Sequence, residues 1–362
     1  MEDSKYSIEQ FTLKKEIFDE ITNLLNDAFL TDEAAIEEGA TITFTKESFD
    51  LFFNSPITDP DLFVRAIHKP TNQIVGFLGN VPRTISLFGE RYSFIIPGWL
   101  SVASDHRRQG LATLMGRKLL ELVSNSGKYE GGFALFEPEQ YGKDITRIVV
   151  SSNNLKQETV YTTKKFVVRA FSSKKLSDVV KLKWFERLAF RILQGVKEKD
   201  NPHIRLFEKK DTETLYKLIL EYEDRCDLAI IHDKEDFARI VNHPLFLCVV
   251  HENDKGEIDG FIGVWEFLLS GFGKRYPFGW LDMVHIYKIS TKEAKDLCKF
   301  LCVKTKERGW VGIQCPYFPY YDSKPFIKAK FIFYKKELFL DMGMLKGMHL
   351  PKKIESIFMD WR

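Results

Sequence analysis

The sequence predicts an α/β fold of the α+β kind, in which two tandem domains each form a mixed, mostly antiparallel sheet flanked by helices. The chain has 362 residues, which suits two hydrophobic cores better than one. Short segments recur along it in the same order, and each copy passes from helices through a β meander into a strand–helix–strand unit. These observations together indicate that one domain has been duplicated.

The repeat links five pairs of segments, four at a spacing of 181–184 residues and the last at 165 residues. Five pairs in register favour a duplication over the alternative, which is repeated strand-and-turn composition. The predicted domains are residues 1–178 and 201–362, joined by a linker helix within 179–200. The paired segments are 62–68 with 245–251, 74–79 with 258–263, 88–92 with 272–276, 98–100 with 279–281, and 165–168 with 330–333.

The elements of the first copy follow from local composition. Apolar and β-branched runs predict strands, and the short turns between them require antiparallel pairing. Apolar residues at helical spacing predict a helix over 111–123 that ends at Gly127. The predicted strands are 62–68, 74–81, 92–96, 99–102 and 132–136.

The linker segment 181–196 carries an apolar stripe with Lys and Arg opposite. One interpretation is a helix on a membrane surface. The interpretation we favour is a linker helix packed across the two domains. The stripe consists of Leu182, Phe185, Leu188, Ala189, Ile192 and Leu193.

Composition and charge exclude several classes of protein. The net charge of +2 gives no reason to expect a nucleic-acid or membrane partner. The polar, acidic start at 1–5 does not resemble a signal peptide, and no apolar run is long enough to span a bilayer. We therefore expect a cytoplasmic protein without a metal site, in which the cysteines are buried free thiols. These are Cys226, Cys248, Cys298, Cys302 and Cys315.

The segment 107–112, between a predicted strand and a predicted helix, has the chemistry of an anion site. Gly110 and the small Ala112 permit a close approach to the backbone. The first N–H groups of the following helix have no internal acceptors and can bind phosphate, while Arg107 and Arg108 add positive charge. A pyrophosphate group suits this arrangement; the alternative is a tight turn with basic surface residues.

This segment resembles the cofactor loop of the GNAT superfamily of N-acetyltransferases. The match covers Leu100, Val102, Arg107, Gly110 and Ala112 at the spacing of that family. The resemblance implies that Leu100, Ser101 and Val102 lie on a strand that splays from its neighbour and binds the pantetheine arm of acetyl-CoA. It also implies that a second set of residues holds the pyrophosphate: Arg107, Arg108, Gln109, Gly110, Leu111, Ala112 and Thr113.

The second copy has no such loop. After the strand at 280–284, no glycine or arginine pair stands where 107–110 would lie. We expect this copy to keep the fold without binding CoA, and either to complete the acceptor cleft or to stabilise the first domain.

The resemblance also implies the catalytic groups. In that family a tyrosine on the helix after the fifth strand often protonates the leaving thiolate. Asn154, Tyr161 and Phe166 match the family spacing, although Lys165 replaces the usual glycine. Tyr141 is a competing candidate for this role, and Tyr161 is preferred. Glu137, at the end of a predicted strand, is the candidate base that takes the amine proton.

Tandem domains of this kind resemble N-myristoyltransferases and mycothiol synthase. In N-myristoyltransferases the C-terminal carboxylate acts as the base, and this chain ends at 358–362. The predicted activity is transfer of an acetyl group to a small-molecule amine or a peptide N-terminus. The alternatives are a longer-chain acyltransferase and a non-catalytic acyl-CoA sensor or scaffold.

Overall fold

The computed structural model describes residues 5–138, 140–197, 201–345, 350 and 353–360. It confirms the predicted fold class, because one large and mostly antiparallel sheet is flanked by helices. Within the described residues the strands are β1 (Tyr6–Phe11), β2 (Thr41–Thr43), β3 (Phe63–His68), β4 (Gln73–Leu87), β5 (Glu90–Val102), β6 (Gly131–Phe136), β7 (Gln157–Ala170), β8 (Ile204–Leu206), β9 (Leu228–Ile231), β10 (Phe246–Glu252), β11 (Ile258–Gly271), β12 (Lys274–His285), β13 (Gly312–Pro316), β14 (Ile332–Met344) and β15 (Ile357–Phe358).

The helices cover both faces of this sheet and most begin directly after a strand or a short turn. In the same described residues they are α1 (Phe18–Leu30), α2 (Glu33–Glu38), α3 (Lys46–Phe53), α4 (Leu111–Ser126), α5 (Tyr141–Ser151), α6 (Ser173–Ser177), α7 (Trp184–Leu193), α8 (Thr212–Leu220), α9 (Lys234–Val241), α10 (Thr291–Glu307) and α11 (Lys324–Lys328).

The main path of the sheet runs β1-β3-β4-β5-β6-β14-β7-β13-β12-β11-β10-β8. The residues before 198 and those after 200 are called here the N-terminal half and the C-terminal half. Strands β3 to β6 and strands β10 to β13 form matching meanders at the two ends of the path, as the repeat predicts. The domain boundaries at 178 and 201 stay a prediction.

The last long strands of the two halves are exchanged. Strand β14, from the C-terminal half, pairs with β6 of the N-terminal half through Leu340 and Leu135. Strand β7, from the N-terminal half, pairs with β13 of the C-terminal half through Val168 and Gln314. The two exchanged strands also pair with each other, with Val167 opposite Phe333. A single hydrogen-bonded sheet therefore crosses from one half to the other.

The predicted helix over 111–123 is confirmed as α4, which extends to Ser126 and ends at Gly127 in the left-handed conformation. Its buried side chains are Leu111, Met115, Leu119 and Val123, spaced by four residues. Leu114 lies off this stripe and is exposed. Helix α4 packs through the buried stripe against one face of β3 and β4, and this packing fixes its amino end beside the end of β5.

The opposite face of β4 and β5 is covered by α1 and α3 and by a dense group of phenylalanines. The rings of Phe49 and Phe53 lie 4.6 Å apart, and Phe53 is 5.3 Å from Phe63. All three side chains are buried. The five cysteines are buried free thiols, as the sequence predicts.

The linker helix differs from its prediction. Helix α7 falls within the expected segment, but none of its residues is buried. Phe185, Leu188 and Ile192 of the predicted stripe are exposed. The prediction that the stripe packs across two domains is therefore wrong for these three residues, because no element of the described chain covers that face.

Candidate active site

Strands β5 and β6 are paired over a short distance and then separate. Phe94 lies opposite Gly131 and Ile95 opposite Gly132 in parallel register. Beyond these pairs β5 continues along β4 to Val102, while β6 continues along β14. A wedge therefore opens between the two strands. The backbone from Gly98 to Val102 forms one wall of the wedge.

A β-bulge marks the middle of this wall. Gly79 of β4 lies opposite Gly98, and Phe77 lies opposite Ser101. Trp99 and Leu100 of β5 therefore face the single residue Leu78 of β4. One of the two, Trp99, has a φ of 56°, which is unusual for a bulky side chain. A bulge leaves a backbone group without its ladder partner. The bulge thus provides a backbone polar group at the edge of the wedge.

The ring of Trp99 is held by two phenylalanines of α3. Its centroid lies 4.7 Å from that of Phe53 and 5.5 Å from that of Phe52. Phe52 in turn contacts Trp265 of the C-terminal half at 5.2 Å. The strained residue is therefore fixed by aromatic packing from both halves. Sequence patterns gave no signal for this bulge.

The loop after β5 leads into α4 with two residues in the left-handed region. A short 3₁₀ turn covers Ser104–His106, and Arg108 and Gly110 have φ values of 61° and 75°. A Cβ placed on Gly110 would meet no atom within 4 Å, so the space in front of the helix is open. No side chain of the described residues caps the amino end of α4. Its first N–H groups remain available to an anion.

Arg107 takes a role that differs from adding charge to the loop. Its guanidinium donates to the carbonyl oxygens of Thr31 at 2.9 Å and Ala28 at 2.7 Å, and to Thr31 Oγ1 at 2.7 Å. The carbonyls belong to the C-terminal end of α1, where cations are favourable. Arg107 thus fixes the loop to α1. Of the two arginines, Arg108 is the one nearer to the open end of α4.

The corresponding helix of the C-terminal half is closed by its own side chains. Ser290 Oγ accepts from Glu293 N at 3.3 Å, and Glu293 Oε2 accepts from Ser290 N at 2.8 Å. This capping box satisfies the N–H groups of Glu293 and Ser290, whereas no side chain does so at the amino end of α4. It also places a carboxylate where a phosphate would have to lie. The junction between β5 and α4 is thus suited to an anion, and the junction between β12 and α10 is not.

The equivalent bulge of the C-terminal half is retained and buried. Gly263 lies opposite Met283 and Val264 opposite Leu281, so Asp282 is the extra residue. Asp282 is buried, and its carbonyl accepts from the hydroxyl of Tyr320 at 3.4 Å. The position that forms an open wall in the N-terminal half is thus covered by an aromatic side chain here.

Comparison with known families agrees with this geometry. Residues 11–143 match the family described as the acetyltransferase (GNAT) domain. This segment of the chain is similar to GNAT domains. The match ends shortly after β6 and includes the wedge, the bulge and the loop before α4. No curated protein matches the chain in sequence.

Solved structures extend the likeness in fold beyond residues 11–143. Saccharomyces cerevisiae N-myristoyltransferase with bound myristoyl-CoA superposes with a TM-score of 0.75 at 18% identity, covering 94% of this chain and 83% of that one. A second structure of the same yeast enzyme gives a TM-score of 0.74, with 94% and 79% covered. A probable N-acyltransferase from Enterococcus faecalis gives 0.50 at 10% identity, with 94% and 72% covered. Both halves therefore share a known tandem fold.

Tyr161 lies on the exchanged strand β7, outside the matched residues 11–143. It pairs with Leu340 of β14, which on its other side pairs with Leu135 of β6. Its ring lies 5.8 Å from that of Phe318. Burial raises the pKa of the Tyr161 phenol, and the neighbouring Tyr317 adds to the effect. Tyr161 thus stays protonated and half-buried on a strand, and not on a helix as the family resemblance implies.

Tyr141 and Glu137 lie together at the carboxyl end of β6. Tyr141 begins α5 and its side chain is 73% exposed. Glu137 forms an ion pair with Lys336 of β14 at 2.7 Å, and its backbone N–H donates to Gln140 Oε1 at 3.0 Å. Glu137 is therefore held in place beside the wedge. The exposure of Tyr141 gives it no protection from water.

The structure describes the last strand, β15, and residues up to Asp360, whereas Trp361 and Arg362 lie outside the described residues. Within the described residues, no cluster of His, Cys, Asp and Glu is arranged to bind a metal ion. No helix in that part of the chain is both long and apolar enough to cross a membrane.

Proposed function

We propose that this protein is an N-acetyltransferase that moves an acetyl group from acetyl-CoA to an amine. The open amino end of α4, directly behind a splayed strand, is the observation that carries the proposal. A helix end of this kind binds phosphate through N–H groups and the helix dipole. The matching end of α10 is closed by a capping box, so the donor is assigned to the N-terminal half alone.

The donor would lie along the wedge. Its pyrophosphate would be bound by backbone N–H groups of Arg108, Gln109 and Gly110 together with those of Leu111, Ala112 and Thr113. The pantetheine arm would follow the backbone of Leu100, Ser101 and Val102, which faces the wedge because β6 has turned away. The thioester then reaches the bulge at Trp99.

The chemistry requires three groups. The amine nitrogen attacks the thioester carbonyl carbon, and the negative charge that develops on its oxygen needs a fixed donor. We assign this role to the backbone at the Trp99–Leu100 bulge. As the carbon–sulfur bond breaks, Tyr161 gives its proton to the thiolate. Glu137 accepts the proton that leaves the amine, directly or through water.

An acetyl group is favoured over a longer chain because the inner side of the bulge is filled. Phe52 and Phe53 are both buried and both touch Trp99. A long acyl chain on this side would have to displace these packed rings, which is unfavourable because well-packed cores have few voids to accept extra atoms. The competing candidate, a longer-chain N-acyltransferase, is supported by the whole-chain likeness in fold to N-myristoyltransferase.

The acceptor is proposed to be a small-molecule amine or a peptide N-terminus. The test is release of free CoA thiol from acyl-CoA donors of increasing chain length, with a panel of amines and short peptides. The highest kcat/KM with acetyl-CoA is expected. A maximum at long chains would favour the second candidate. Tight acetyl-CoA binding without turnover for any acceptor would instead identify a sensor or scaffold.

A further inference from the structure

Helix α7 presents an apolar face that nothing in the described chain covers. Four large side chains lie on this face. Their exposed fractions are 78% for Trp184, 51% for Phe185, 48% for Leu188 and 68% for Ile192. Phe185, Leu188 and Ile192 follow Trp184 by one, four and eight residues, and this spacing places all four side chains along one side of a helix. Single exposed apolar residues are ordinary, but a continuous row of four with an aromatic pair marks an interaction surface.

The opposite side of α7 fixes it to the protein. Phe190 and Leu182 pack against the core. Just after the helix, the Gln194 side chain accepts from Ser173 N at 3.1 Å, and the guanidinium of Arg169 donates to the Gly195 carbonyl at 2.9 Å. The helix is therefore held in a defined orientation with its apolar side outward. It is not a segment that has simply failed to pack.

The segment that carries this face has a strong excess of positive charge. Between 181 and 197 the chain has five basic residues and one acidic residue, a local charge of +4 in a protein whose total is +2. The acid, Glu186, faces back to accept from Lys183 N at 2.7 Å and caps the helix. The basic side chains are all exposed: Lys181, Lys183, Arg187, Arg191 and Lys197.

We propose that α7 docks onto the surface of an anionic phospholipid bilayer. Trp184, Phe185, Leu188 and Ile192 insert at the level of the headgroups, and the basic side chains beside them contact lipid phosphates. A ten-residue helix is about 15 Å long and lies in the interface without crossing it. Trp and Phe prefer this interface, and Lys and Arg are attracted to the negative surface.

A lipid surface fits these observations better than a protein partner does. The centres of protein interfaces are depleted in lysine, whereas three of the five basic side chains of this segment are lysines. The attraction requires no specific anionic side chain from a partner. This proposal departs from the expectation of no membrane partner, which rested on the total charge. It does not depend on the proposed acetyl transfer.

The test is co-sedimentation of the full chain with vesicles of phosphatidylcholine alone and with phosphatidylserine mixed in. Binding to the mixed vesicles at low salt is expected, with loss of binding as salt screens the charges. The double variant Trp184→Ser/Ile192→Ser should bind at least tenfold more weakly, because two large apolar side chains no longer enter the interface. Each of Arg187→Ala and Arg191→Ala should weaken binding about fivefold.

Matched controls change equally exposed residues elsewhere. Ile148→Ser/Ile327→Ser removes apolar side chains that are 49% and 55% exposed, and Lys292→Ala and Lys306→Ala remove basic groups from α10. These variants should bind the vesicles as the unchanged protein does. Every α7 variant should keep its melting temperature and its activity on a water-soluble acceptor, which separates docking from folding and from catalysis.

Fluorescence gives a second readout. Emission of the protein should shift to shorter wavelength when phosphatidylserine vesicles are added, and Trp184→Phe should abolish the shift while keeping most of the binding. Absence of binding to the mixed vesicles at low salt would overturn the proposal. So would equal losses in the control variants. A dimer in solution that Trp184→Ser/Ile192→Ser dissociates would assign this face to a second copy of the chain instead.

Discussion

Arg107 Nη2 donates to Thr31 Oγ1 at 2.7 Å, and this contact joins the loop before α4 to the end of helix α1. The same guanidinium also donates to three backbone carbonyls, those of Thr31, Ala28 and Val102. Since the loop contains two left-handed residues, it depends on such contacts to keep its shape.

Replacing Arg107 by alanine should raise the KM for acetyl-CoA by about tenfold or more, because hydrogen bonds from a charged group contribute about 1.5–3 kcal/mol. Steady-state kinetics with acetyl-CoA as the varied substrate would measure this KM. Arg108→Ala is the comparison: its effect should be smaller and should disappear at high salt. An unchanged KM for Arg107→Ala would show that the loop keeps its shape without this side chain.

Gly110→Glu should abolish CoA binding while the protein remains folded. The new carboxylate would occupy the open space in front of α4 and repel phosphate. Gly256→Glu is a matched control, because Gly256 also has a φ of 75° and no atom within 4 Å of a built Cβ. Both changes should lower stability by about 1 kcal/mol. Calorimetric titration with CoA should separate them, and equal affinities would contradict the assignment of the loop.

Tyr161→Phe should lower kcat by about 10²-fold, in the range of a lost general acid, with little change in the KM for acetyl-CoA. Tyr141→Phe should have little effect, because that side chain is 73% exposed. Single-turnover kinetics would isolate the chemical step. If Tyr141→Phe lowers kcat and Tyr161→Phe does not, Tyr141 is the general acid.

Arg83 and Asp360 form a buried ion pair at 3.4 Å that joins β4 to the segment after β15. Asp360→Ala should destabilise the protein by about 3–5 kcal/mol, because it removes the carboxylate that pairs with the buried Arg83 guanidinium. The double change Arg83→Met/Asp360→Leu should cost clearly less than Asp360→Ala. Urea unfolding would measure both, and a double variant at least as unstable as the single one would argue against the pair.

Stability should rise with pH between about 4 and 6.5 because of His285. Burial lowers the pKa of His285 to about 4, although the nearby Glu221 carboxylate acts in the opposite direction. The unfolded chain therefore binds a proton in this window that the folded protein does not. The contribution is present above pH 6.5 and is lost as pH falls toward 4, up to about 3 kcal/mol. Urea unfolding across this range should show the slope, and His285→Gln should flatten it.

Local sequence signals predicted the elements around the site well. The stripe from Leu111 to Val123 and the terminating Gly127 defined α4, and Gly110 marked the loop. These features arise from neighbours along the chain. The bulge at Trp99 and the tie from Arg107 to α1 could not be predicted, because they depend on Phe52, Phe53 and Thr31, which are distant in sequence.

Other differences between prediction and structure also arise from parts of the chain that are distant in sequence. Periodicity showed that 181–196 has an apolar side, but it could not show that no other element would cover that side. Tyr161 was found by spacing and expected on a helix, yet it lies on β7. Its strand is held between β13 and β14 of the other half. Pairing between halves is a tertiary effect that no local pattern reports.

The exchanged strands have a consequence for how the protein is made on the ribosome. When residues up to Ala170 have emerged, β6 still lacks its neighbour β14, which ends at Met344. Until β14 has emerged, that strand exposes unpaired hydrogen-bonding groups beside the wedge, the kind of edge that invites aggregation. A nascent or prematurely terminated chain therefore needs protection that the finished protein does not.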